Sequence, residues 1–574
     1  KLDESGMFSS RRADFTDNQK AHNVFWAKYE RPPLEDYWDY IIERRDLLVP
    51  QDIRERKGSY FTPKIWVELS QRYIADVLGE NWQDEYVVWD CCAGTGNLLV
   101  GLTNKDNIWA STLDIQDVNV MQDRIDNGAN LWKNQVFQFD FLNDEFIPVA
   151  KGGKLPDELY DIINDEEKRK KLVIYINPPY AEAGDSKQRT GTGKNKEGTT
   201  TQNATYNKYK TIIGKASNEL FAQFLIRIYC EIPACWIANF SKLKNLQSNN
   251  FQYFRTTFRA SLEKIFLVPA DTFDNVTGQF PIGFFVWNAK IIEKFEQISA
   301  DIYNKTGYFI GQKIIFSYDK GFIGKWIAEF KDKKNMSIGM LNSGRNDFQN
   351  QNIVYIKYEI TDIAHALTLT LTNIIQAFIF FAVRHCIEAD WLNDRDQFLY
   401  PNDGWKTDSE FQNDCLAYTL FHSQNRISSK EGTNHWIPFT ETEVNSSGKF
   451  ASHFMTDFIA GKIKIENENR RLFNLDNQTN YSSDKKREFS AEAQNVFSAG
   501  KELWKYYHAQ KNISVNASLY DIREYFQGRN EKGKMNSKSP DEKYNKLITA
   551  LRETLKKLAK KIEPKVYEYG FLLR

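Results

Sequence analysis

Two short segments carry residue types that could do chemistry, and each follows an apolar run. Asp90–Gly96 reads Asp-Cys-Cys-Ala-Gly-Thr-Gly and closes the apolar run Tyr86–Trp89. Asn177–Tyr180 reads Asn-Pro-Pro-Tyr and follows the apolar run Val173–Ile176. An acid, two glycines, an amide and paired prolines at the ends of buried strands are typical of ligand-binding turns.

The glycine turn, predicted to open a helix, suits a small nucleoside ligand. Gly94 and Gly96 let the backbone approach a ligand closely, at the edge where α/β sheets bind nucleotides. Leu99 replaces the third glycine of the dinucleotide-binding pattern, which favours an adenosine cofactor over a pyrophosphate. Asp114 ends the next predicted strand, where a carboxylate can accept both ribose hydroxyls. An ordinary glycine turn without a ligand is the alternative.

The Asn-Pro-Pro-Tyr segment suits the activation of an amine. The exocyclic amine of a base such as adenine is a poor nucleophile, because its lone pair is delocalised into the ring. The Asn177 side-chain oxygen and the Pro178 carbonyl can each accept one amine hydrogen, which frees the lone pair for methyl transfer. Pro178 and Pro179 remove backbone donors and fix φ, and Tyr180 can stack on the ring. A simple turn after a strand is the alternative, since Asn-Pro marks turns.

Alternating strand and helix signals must position both segments. From residue 58 to about residue 288, apolar strands alternate with amphipathic helical stretches, which predicts a parallel or mixed α/β sheet. Short helices are predicted over residues 1–57, and helical patterns dominate after about residue 360. The strand candidates are Tyr86–Asp90, Ile108–Asp114, Gln135–Asp140, Leu172–Asn177, Ala234–Phe240, Lys264–Val268 and Gly283–Trp287.

The clearest helix signal lies near the end of the chain. Ser539 is a predicted N-cap, Pro540 occupies the first helical position and Glu542 completes a capping box. An apolar stripe follows, and Pro564 is expected to end the helix.

Composition and charge limit the class of protein. The chain has 574 residues, 41% hydrophobic and 26% charged, which is typical of a soluble globular protein with more than one domain. Its 76 basic and 76 acidic residues exclude a uniformly basic protein that coats nucleic acid, but not a local basic surface. Six cysteines without a CxxC spacing predict a reducing cytoplasm and no structural metal. Ile374–Val383, the longest apolar run, is shorter than the roughly 20 residues of a membrane span.

Several motifs occur in the order found in a known enzyme family. They are Gly58–Pro63 (Gly-Ser-Tyr-Phe-Thr-Pro), Asp90–Gly96, Asp114, Asp140-Phe141 and Asn177–Tyr180. Together they resemble the motifs of S-adenosylmethionine-dependent adenine DNA methyltransferases, over roughly residues 50–290. The Tyr-Phe-Thr-Pro element precedes the glycine turn, as in the gamma class, in which target recognition follows the catalytic domain. That class includes type I modification subunits and single-chain restriction–modification enzymes.

The resemblance implies a fold, a domain organisation and a function. The implied fold is a Rossmann-like methyltransferase core, with a mixed and mostly parallel seven-stranded sheet. The expected domains are an N-terminal helical segment (1–57), the methyltransferase domain (58–300) and a mainly helical region that recognises DNA or docks a partner (301–574). The implied reaction is site-specific methyl transfer from S-adenosylmethionine to N6 of a flipped adenine in double-stranded DNA. The resemblance also implies that the enzyme belongs to a restriction–modification system and has a specificity or restriction subunit as its partner. It implies a cytoplasmic location and no association with a membrane.

The resemblance also assigns roles residue by residue. For the cofactor, the motifs imply contacts to its methionine end, its amino acid portion, its ribose and its adenine. The methionine end is assigned to Tyr60, Phe61, Thr62 and Pro63, and the amino acid portion to Asp90, Ala93, Gly94 and Gly96. The ribose is assigned to Asp114, and the adenine to Asp140 and Phe141.

The target base is assigned to a second group of residues. Asn177, Pro178, Pro179 and Tyr180 are implied to act on it. The family often has an aromatic at the end of a later strand that stacks on the same base. Trp287 is the candidate, Phe284 and Phe285 compete with it, and a buried strand aromatic is the alternative.

A predicted loop after Tyr180 could contact DNA. Ser186–Ala216 has seven basic residues and one acid, which suit phosphate contacts by a loop that orders on binding. A solvated insertion is the alternative. Gly191–Asn195 imitates a phosphate-binding loop but lacks the Ser or Thr after its lysine, so we reject an NTPase site. The residues proposed for DNA contact are Lys187, Arg189, Lys194 and Lys196.

A helical stretch further along the chain could line the same cleft. It interleaves basic and aromatic residues, although a solvated helix face explains the pattern as well. Its basic residues are Lys242, Lys244, Arg255 and Arg259.

Three other interpretations stay open. Enzymes that methylate a protein glutamine or an RNA guanine share the glycine turn and the tetrapeptide, but they leave Tyr60–Pro63 unexplained. A non-enzymatic DNA-binding subunit could retain the fold, although the complete Asn177–Tyr180 segment argues against it. Because the chain begins at Lys1, it could be a modification fragment of a bifunctional restriction enzyme. The recognition sequence and the oligomeric state do not follow from the residues.

Overall fold

The computed structural model describes two compact units. It covers residues 27, 62–180, 201–273, 276, 278–318, 321–332, 334–361, 365–463 and 486–574. The first unit comprises the chain up to Ser317 together with the later segment Asp390–Arg395. The second unit comprises Tyr318–Ala389 and Asp396–Arg574. The predictions for residues 1–57 concern residues that lie, apart from Ala27, outside the described ones.

A nine-stranded sheet forms the centre of the first unit, in the order β3-β2-β1-β4-β5-β7-β6-β8-β9. The pairs among β1 to β5 are all parallel, β7 is antiparallel to both of its neighbours, and β8 and β9 form an antiparallel hairpin. The strands are β1 (Val87–Asp90), β2 (Ile108–Thr112), β3 (Val136–Gln138), β4 (Leu172–Ile176), β5 (Trp236–Lys242), β6 (Ala260–Pro269), β7 (Pro281–Ile292), β8 (Gln297–Tyr303) and β9 (Phe309–Phe316).

The mixed, largely parallel sheet confirms the predicted α/β class, but the predicted count of seven strands is wrong. The two additional strands are β8 and β9, which extend the sheet beyond β6. Strand β8 crosses residue 300, where the sequence predicted the end of the first domain. The side chains of this hairpin are largely exposed, so its sequence lacks the apolar run that reveals a buried strand.

Alternate residues of the central strands face two separate apolar clusters. On β4, whose five residues are all buried, Ile174 packs in one cluster with Phe221 and Val173 packs in the other with Trp66. Both faces of the sheet are therefore covered by helices, as parallel sheets require. The helices of the first unit are α1 (Lys64–Leu78), α2 (Trp82–Glu85), α3 (Ile115–Asp126), α4 (Asp157–Asn164), α5 (Glu166–Arg169), α6 (Ala204–Ile213), α7 (Leu220–Glu231), α8 (Lys244–Gln247) and α9 (Gln252–Thr257).

The described part of the second unit is mainly helical. A small antiparallel sheet, in the order β11-β10-β12, joins the helices. Its strands are β10 (Gly339–Asn342), β11 (Ile356–Lys357) and β12 (Ala366–Leu369). The helices are α10 (Ile323–Ala328), α11 (Ile374–His385), α12 (Ser409–Phe421), α13 (Phe454–Ile459), α14 (Ala491–His508), α15 (Leu519–Gln527) and α16 (Glu542–Glu568).

The last helix differs from its prediction at both ends. Asp541, and not Ser539, is the N-cap of α16, and its carboxylate accepts a hydrogen bond from the backbone N–H of Tyr544. Pro564 lies inside the helix and does not end it. Proline removes one backbone hydrogen bond, but the apolar face continues past it to the buried Val566. Packing of that face therefore stabilises the helix on both sides of the proline.

Two histidine rings are stacked in the core of the second unit. His385 and His422 have ring centroids 4.7 Å apart, and the Nε2–H of His385 donates to the Val354 carbonyl. Burial lowers the pKa of the His422 imidazole to about 3 and holds that of His385 well below its usual range. Cys415 is fully buried, and the half-buried rings of His385 and His422 both pack against Phe381.

We expect acid to destabilise the protein through these histidines. The unfolded chain protonates them below about pH 6.5 and the folded chain does not, so stability falls as the pH drops. His422→Asn should reduce this loss by about 1.4 kcal/mol per pH unit. Urea unfolding between pH 7 and pH 5 measures the slope, and His453→Asn, at an exposed histidine, is the control. An unchanged slope in His422→Asn would contradict the prediction.

Candidate functional site

The predicted site residues meet at one edge of the large sheet. Asp90 is the last residue of β1, Asp114 follows β2, and Asn177 follows β4 directly. Strands β1, β2 and β4 are parallel neighbours, so their carboxyl ends lie at the same edge. The strand order reverses between β1 and β4, which makes this the topological switch point of the sheet.

The glycine turn after β1 has the backbone that only glycine adopts readily. Gly94 has φ +53° and Gly96 has φ +81°. A Cβ atom at Gly96 would lie 3.2 Å from the sulfur of Met121, whereas one at Gly94 would have no described heavy atom within 4 Å. Gly96 is therefore packed against the fold, and the backbone at Gly94 is open to the approach of a ligand.

The glycine turn is held on two sides, but the helix predicted after it does not form. The backbone N–H of Ala93 donates to the Ser111 carbonyl of β2 at 2.9 Å. Arg124 of α3 donates to the Thr95 carbonyl at 2.6 Å. Residues 98–101 instead form successive turns, and Gly101 has φ +89°. A left-handed residue so soon after the turn prevents an α-helix from starting there.

The Asp90 carboxyl is buried at the base of the glycine turn. Its side chain accepts a hydrogen bond from the backbone N–H of Cys92 at 3.1 Å and is 1% exposed. Burial raises the pKa of this carboxyl to about 7. A buried acid that titrates near neutral pH is typical of a group that a charged ligand partners.

Asp114 lies at the start of α3 between two exposed aliphatic side chains. Leu113 is 54% exposed and Ile115 is 52% exposed, while Asp114 is partly buried. This places an acid between two apolar surfaces at the carboxyl edge, an arrangement that suits a ribose with an attached base. Leu113 and Ile115 were not among the residues predicted from the sequence to hold a ligand. Their signal was an apolar residue on each side of the acid, which a solvated helix start does not need.

Asp140 and Phe141 are placed by contacts within the fold. The Asp140 carboxylate accepts hydrogen bonds from the backbone N–H groups of Leu142 and Asn143, at 3.1 and 3.2 Å. The Phe141 ring stacks on Phe224 with centroids 5.1 Å apart and is 2% exposed. No face of this ring is open to a cofactor in this arrangement, so its surroundings do not favour the predicted contact with adenine.

Asn177 is oriented by two neighbours. Its Nδ2 donates to the Thr62 hydroxyl at 2.7 Å, and the Tyr180 hydroxyl donates to its Oδ1 at 2.6 Å. Pro178 is buried and Pro179 is partly buried, so the turn between the two polar residues is firmly packed. The amide is therefore fixed with its nitrogen towards Thr62 and its oxygen towards Tyr180.

The Thr-Pro pair of the predicted Tyr-Phe-Thr-Pro element joins this arrangement. Thr62 is 4% exposed and contacts Asn177, and the Pro63 carbonyl accepts from the N–H groups that begin α1. Tyr60 and Phe61 lie outside the described residues, so their predicted roles stay predictions. The contact to Thr62 shows that a residue before the glycine turn positions the tetrapeptide amide.

The surroundings of Trp287 do not favour its predicted stacking on a target base. Trp287 lies in the middle of β7, is 3% exposed, and donates its indole N–H to the buried Asn239 side chain. Phe284 and Phe285, the competing candidates, are fully buried as well. Strand β7 is central and covered on both faces, so its mid-strand aromatics pack in the core, which was the alternative stated for Trp287.

A different aromatic lies at the carboxyl edge. Strand β7 runs antiparallel to β5, so its start at Pro281 lies beside the end of β5 near Lys242. Phe280 immediately precedes this start and is only partly buried. Sequence reasoning missed Phe280, because an aromatic just before a strand gives no signal of which edge it occupies.

A buried ion cluster at the end of β5 contacts the Asn177–Tyr180 segment. Lys242 Nζ lies 3.6 Å from the Glu219 carboxylate and donates to the Tyr180 carbonyl at 3.4 Å. Lys244 pairs with the same carboxylate, and the Glu219 side chain is 3% exposed. These two lysines were candidates to line a DNA cleft. Both pair with Glu219, and Lys242 also contacts the Tyr180 carbonyl.

The remaining predicted DNA contacts are not placed. Lys187, Arg189, Lys194 and Lys196 fall within residues 181–200, outside the described residues. Within the part of the chain that the structure describes, no group of three or more metal-ligating side chains occurs. None of the described helices is long and apolar enough to span a membrane.

Comparisons with known proteins yield a distant similarity of fold. No family model matches the chain, and no curated protein matches it. The type IIL restriction-modification enzyme MmeI in complex with DNA is 11% identical, with 92% of this chain and 81% of that chain covered and a TM-score of 0.36. A type I restriction-modification methyltransferase subunit from Streptococcus thermophilus is 16% identical, with 50% and 56% covered and a TM-score of 0.31.

The DrdV–DNA complex is 13% identical, with 46% of this chain and 30% of that chain covered and a TM-score of 0.34. The match thus spans about a third of DrdV and about half of the Streptococcus thermophilus subunit. Identities and TM-scores this low do not assign an activity or a ligand to the chain.

Proposed function

We propose that this chain is an S-adenosylmethionine-dependent methyltransferase that modifies N6 of adenine in double-stranded DNA, in the cytoplasm and within a restriction–modification system. The observation that carries the proposal is the fixed Asn177 amide, held by Thr62 and Tyr180 beside the glycine turn. A specificity subunit, a restriction subunit or a restriction domain would then be its partner.

The residues at the switch point fit the cofactor. The open backbone at Gly94 and the buried Asp90 carboxyl suit its charged amino acid portion. Asp114 suits its ribose, and the exposed Leu113 and Ile115 suit its adenine. When bound, S-adenosylmethionine supplies a methyl group on a positively charged sulfur.

The chain's own residues would prepare the acceptor amine. Asn177 Oδ1 has two lone pairs, so it can accept from the Tyr180 hydroxyl and from an amine hydrogen together. Thr62 keeps the amide nitrogen turned away from the amine. The Pro178 carbonyl would accept the second hydrogen, which leaves the amine lone pair free to attack. Positioning of this kind supplies most of the rate in a direct displacement.

Adenine in DNA is favoured over the other methyl acceptors by one contact. Thr62 belongs to the Tyr-Phe-Thr-Pro element, which an enzyme that methylates a protein glutamine or an RNA guanine would leave unexplained. Thr62 also contacts the Asn177 amide directly. A base in a duplex must leave the stack to reach this edge, at a cost of a few kcal/mol.

Transfer of a radiolabelled methyl group from S-adenosylmethionine tests the proposal. The unlabelled acceptors are duplex DNA of mixed sequence, RNA and a release-factor-like protein, each in equal mass. We expect label in DNA, recovered as N6-methyladenine after digestion and mass spectrometry. Label in RNA or protein alone would show that the acceptor is wrong, and no label in any acceptor would contradict the activity.

Phe280 should stack on the flipped base in place of Trp287. Phe280→Ala should lower methyl transfer to DNA by about 5- to 100-fold, because base–aromatic stacking contributes roughly 1–3 kcal/mol. Binding of S-adenosylmethionine should not change. Phe280→Tyr, which keeps the ring, is the matched control and should retain most of the activity. An equally active Phe280→Ala would exclude this role.

A further inference from the structure

A tight basic turn lies between α15 and α16 in the second unit. Its two arms meet at the antiparallel bridge between Arg529 and Met535, and Gly533 at its tip has φ +71°. Residues 529–538 read Arg-Asn-Glu-Lys-Gly-Lys-Met-Asn-Ser-Lys, with four basic side chains and one acidic side chain. We refer to residues 528–538 as the basic hairpin.

The base of the basic hairpin is anchored in the core. The side chains of Gln527 and Asn536 each donate to the backbone carbonyl of the other residue. The buried Tyr544 hydroxyl donates to Gln527 Oε1 at 2.7 Å, and the Tyr544 ring stacks on Phe526 with centroids 4.4 Å apart. The hairpin is therefore held by α16 and does not hang freely from the surface.

The tip of the hairpin is ordered by one asparagine. Asn530 Oδ1 accepts from the backbone N–H groups of Lys532 and Lys534, at 3.1 and 2.9 Å. Its own N–H donates to the Lys534 carbonyl at 2.8 Å, and the Gly533 N–H donates to the Asn530 carbonyl at 2.8 Å. The positions of both lysines along the backbone are thus set before any partner binds.

The Arg529 side chain forms hydrogen bonds within the basic hairpin and to α15. Its guanidinium donates to the Gly533 carbonyl at 2.8 Å, to the Glu524 carboxylate at 2.9 Å and to the Tyr520 hydroxyl at 2.8 Å. This ties the tip to α15. The acidic neighbour Glu524 is consequently satisfied by Arg529 and does not neutralise the tip.

Three lysines of the hairpin remain as an exposed positive surface. Lys532, Lys534 and Lys538 are exposed, and no ion pair among the described residues involves them. The tip residues 530–534 include no aromatic or aliphatic side chain of the kind that anchors a protein–protein interface. A stiff and exposed turn with these three lysines and the single acid Glu531 has a net positive charge, which suits a ligand with many regularly placed negative charges.

We propose that the basic hairpin binds the phosphate backbone of duplex DNA through Lys532 and Lys534. The proposal rests on the proposed function, because a DNA methyltransferase must hold the duplex while one base is turned out. A two-stranded turn is narrow enough to enter the major groove. Its internal hydrogen bonds lower the ordering penalty on binding, so the lysines contact phosphates with little loss of backbone entropy.

Salt-dependent DNA binding tests this proposal without relying on catalysis. The full chain and the double variant Lys532→Gln/Lys534→Gln are titrated into a fluorescent duplex at several salt concentrations. We expect about 5- to 20-fold weaker binding near 0.1 M salt. The slope of log K against log salt should fall by about 1.8, since each phosphate contact contributes roughly 0.9.

Matched controls separate this site from general charge. Lys449→Gln/Lys557→Gln removes the same charge from two exposed lysines of the same unit, and its affinity should stay within about twofold. A hairpin variant that binds like the wild type, or no more weakly than this control, would overturn the proposal. An acidic protein partner would give that outcome as well.

A third variant tests the ordering of the tip. Asn530→Ala keeps every charge but removes the two side-chain hydrogen bonds to the lysine N–H groups. We expect about threefold to tenfold weaker DNA binding with an unchanged salt slope. Wild-type affinity in this variant would contradict the preorganised hairpin. Methyl transfer by the wild type tests the proposed function separately, so failure of one is distinguishable from failure of the other.

Discussion

Asn177→Ala should lower methyl transfer to DNA by about 10²- to 10³-fold, which is the size of effect expected when one preorganised hydrogen-bonding group that stabilises a transition state is removed. The alanine side chain has no oxygen to accept an amine hydrogen, so the lone pair stays delocalised. The Thr62 and Tyr180 hydroxyls also lose their shared partner. S-adenosylmethionine affinity should stay within about threefold, because Asp90 and Asp114, which would hold the cofactor, lie at the carboxyl ends of β1 and β2.

Single-turnover methyl transfer and calorimetric titration with S-adenosylmethionine measure the two effects. Asn134→Ala makes the same change at an exposed position of the same unit and should leave both quantities unchanged. Asn177→Asp keeps an acceptor oxygen and should retain more activity than Asn177→Ala. More than a tenth of wild-type activity in Asn177→Ala would refute the mechanism.

Asp90→Asn should stabilise the protein and weaken cofactor binding at the same time. Burial raises the pKa of the Asp90 carboxyl to about 7, so the folded chain holds a proton that the unfolded chain releases near pH 3.8. The folded state binds more protons between these values, and this group therefore makes stability fall as the pH rises towards 7. A difference of about three pKa units corresponds to about 4 kcal/mol, which asparagine would largely recover.

We expect Asp90→Asn to raise the free energy of unfolding by about 2–4 kcal/mol at pH 8, with the gain shrinking towards pH 4. The asparagine oxygen can still accept from the N–H of Cys92. S-adenosylmethionine should bind roughly 10- to 100-fold more weakly, because its charged amino group loses a carboxylate partner.

Chemical unfolding at pH 4, 6 and 8, together with cofactor titration at pH 8, measures both effects. Asp161→Asn, at an exposed aspartate of α4, is the control and should change neither quantity. An Asp90→Asn variant that is no more stable than the wild type at pH 8 would show that burial does not strain this carboxyl.

Local patterns in the sequence were sufficient to predict a strand where the strand is buried and its apolar run stops abruptly at polar residues or prolines. Strand β4 was predicted as Leu172–Asn177 and observed as Leu172–Ile176, because a continuous apolar run meets an amide and two prolines there. The same holds for β1 and the glycine turn. The hairpin of β8 and β9 escaped prediction, because its exposed side chains follow no buried pattern.

The sequence by itself determined the α/β class and the side chains available at the ends of β1, β2 and β4. Those features depend on runs of neighbouring residues, and a run is visible without knowledge of the rest of the chain. The order of the strands then brings those ends to one edge.

Only the tertiary structure decided what each side chain faces. One partner of Asn177 is Thr62, 115 residues away, and no local pattern predicts such a contact. Trp287 and Phe280 are both aromatics near one strand, but the first is enclosed by neighbouring strands and the second lies at the carboxyl edge. The pKa of Asp90 likewise depends on how completely other elements exclude water from it. Burial and proximity arise from packing between distant segments, so they are properties of the fold and not of any short stretch of sequence.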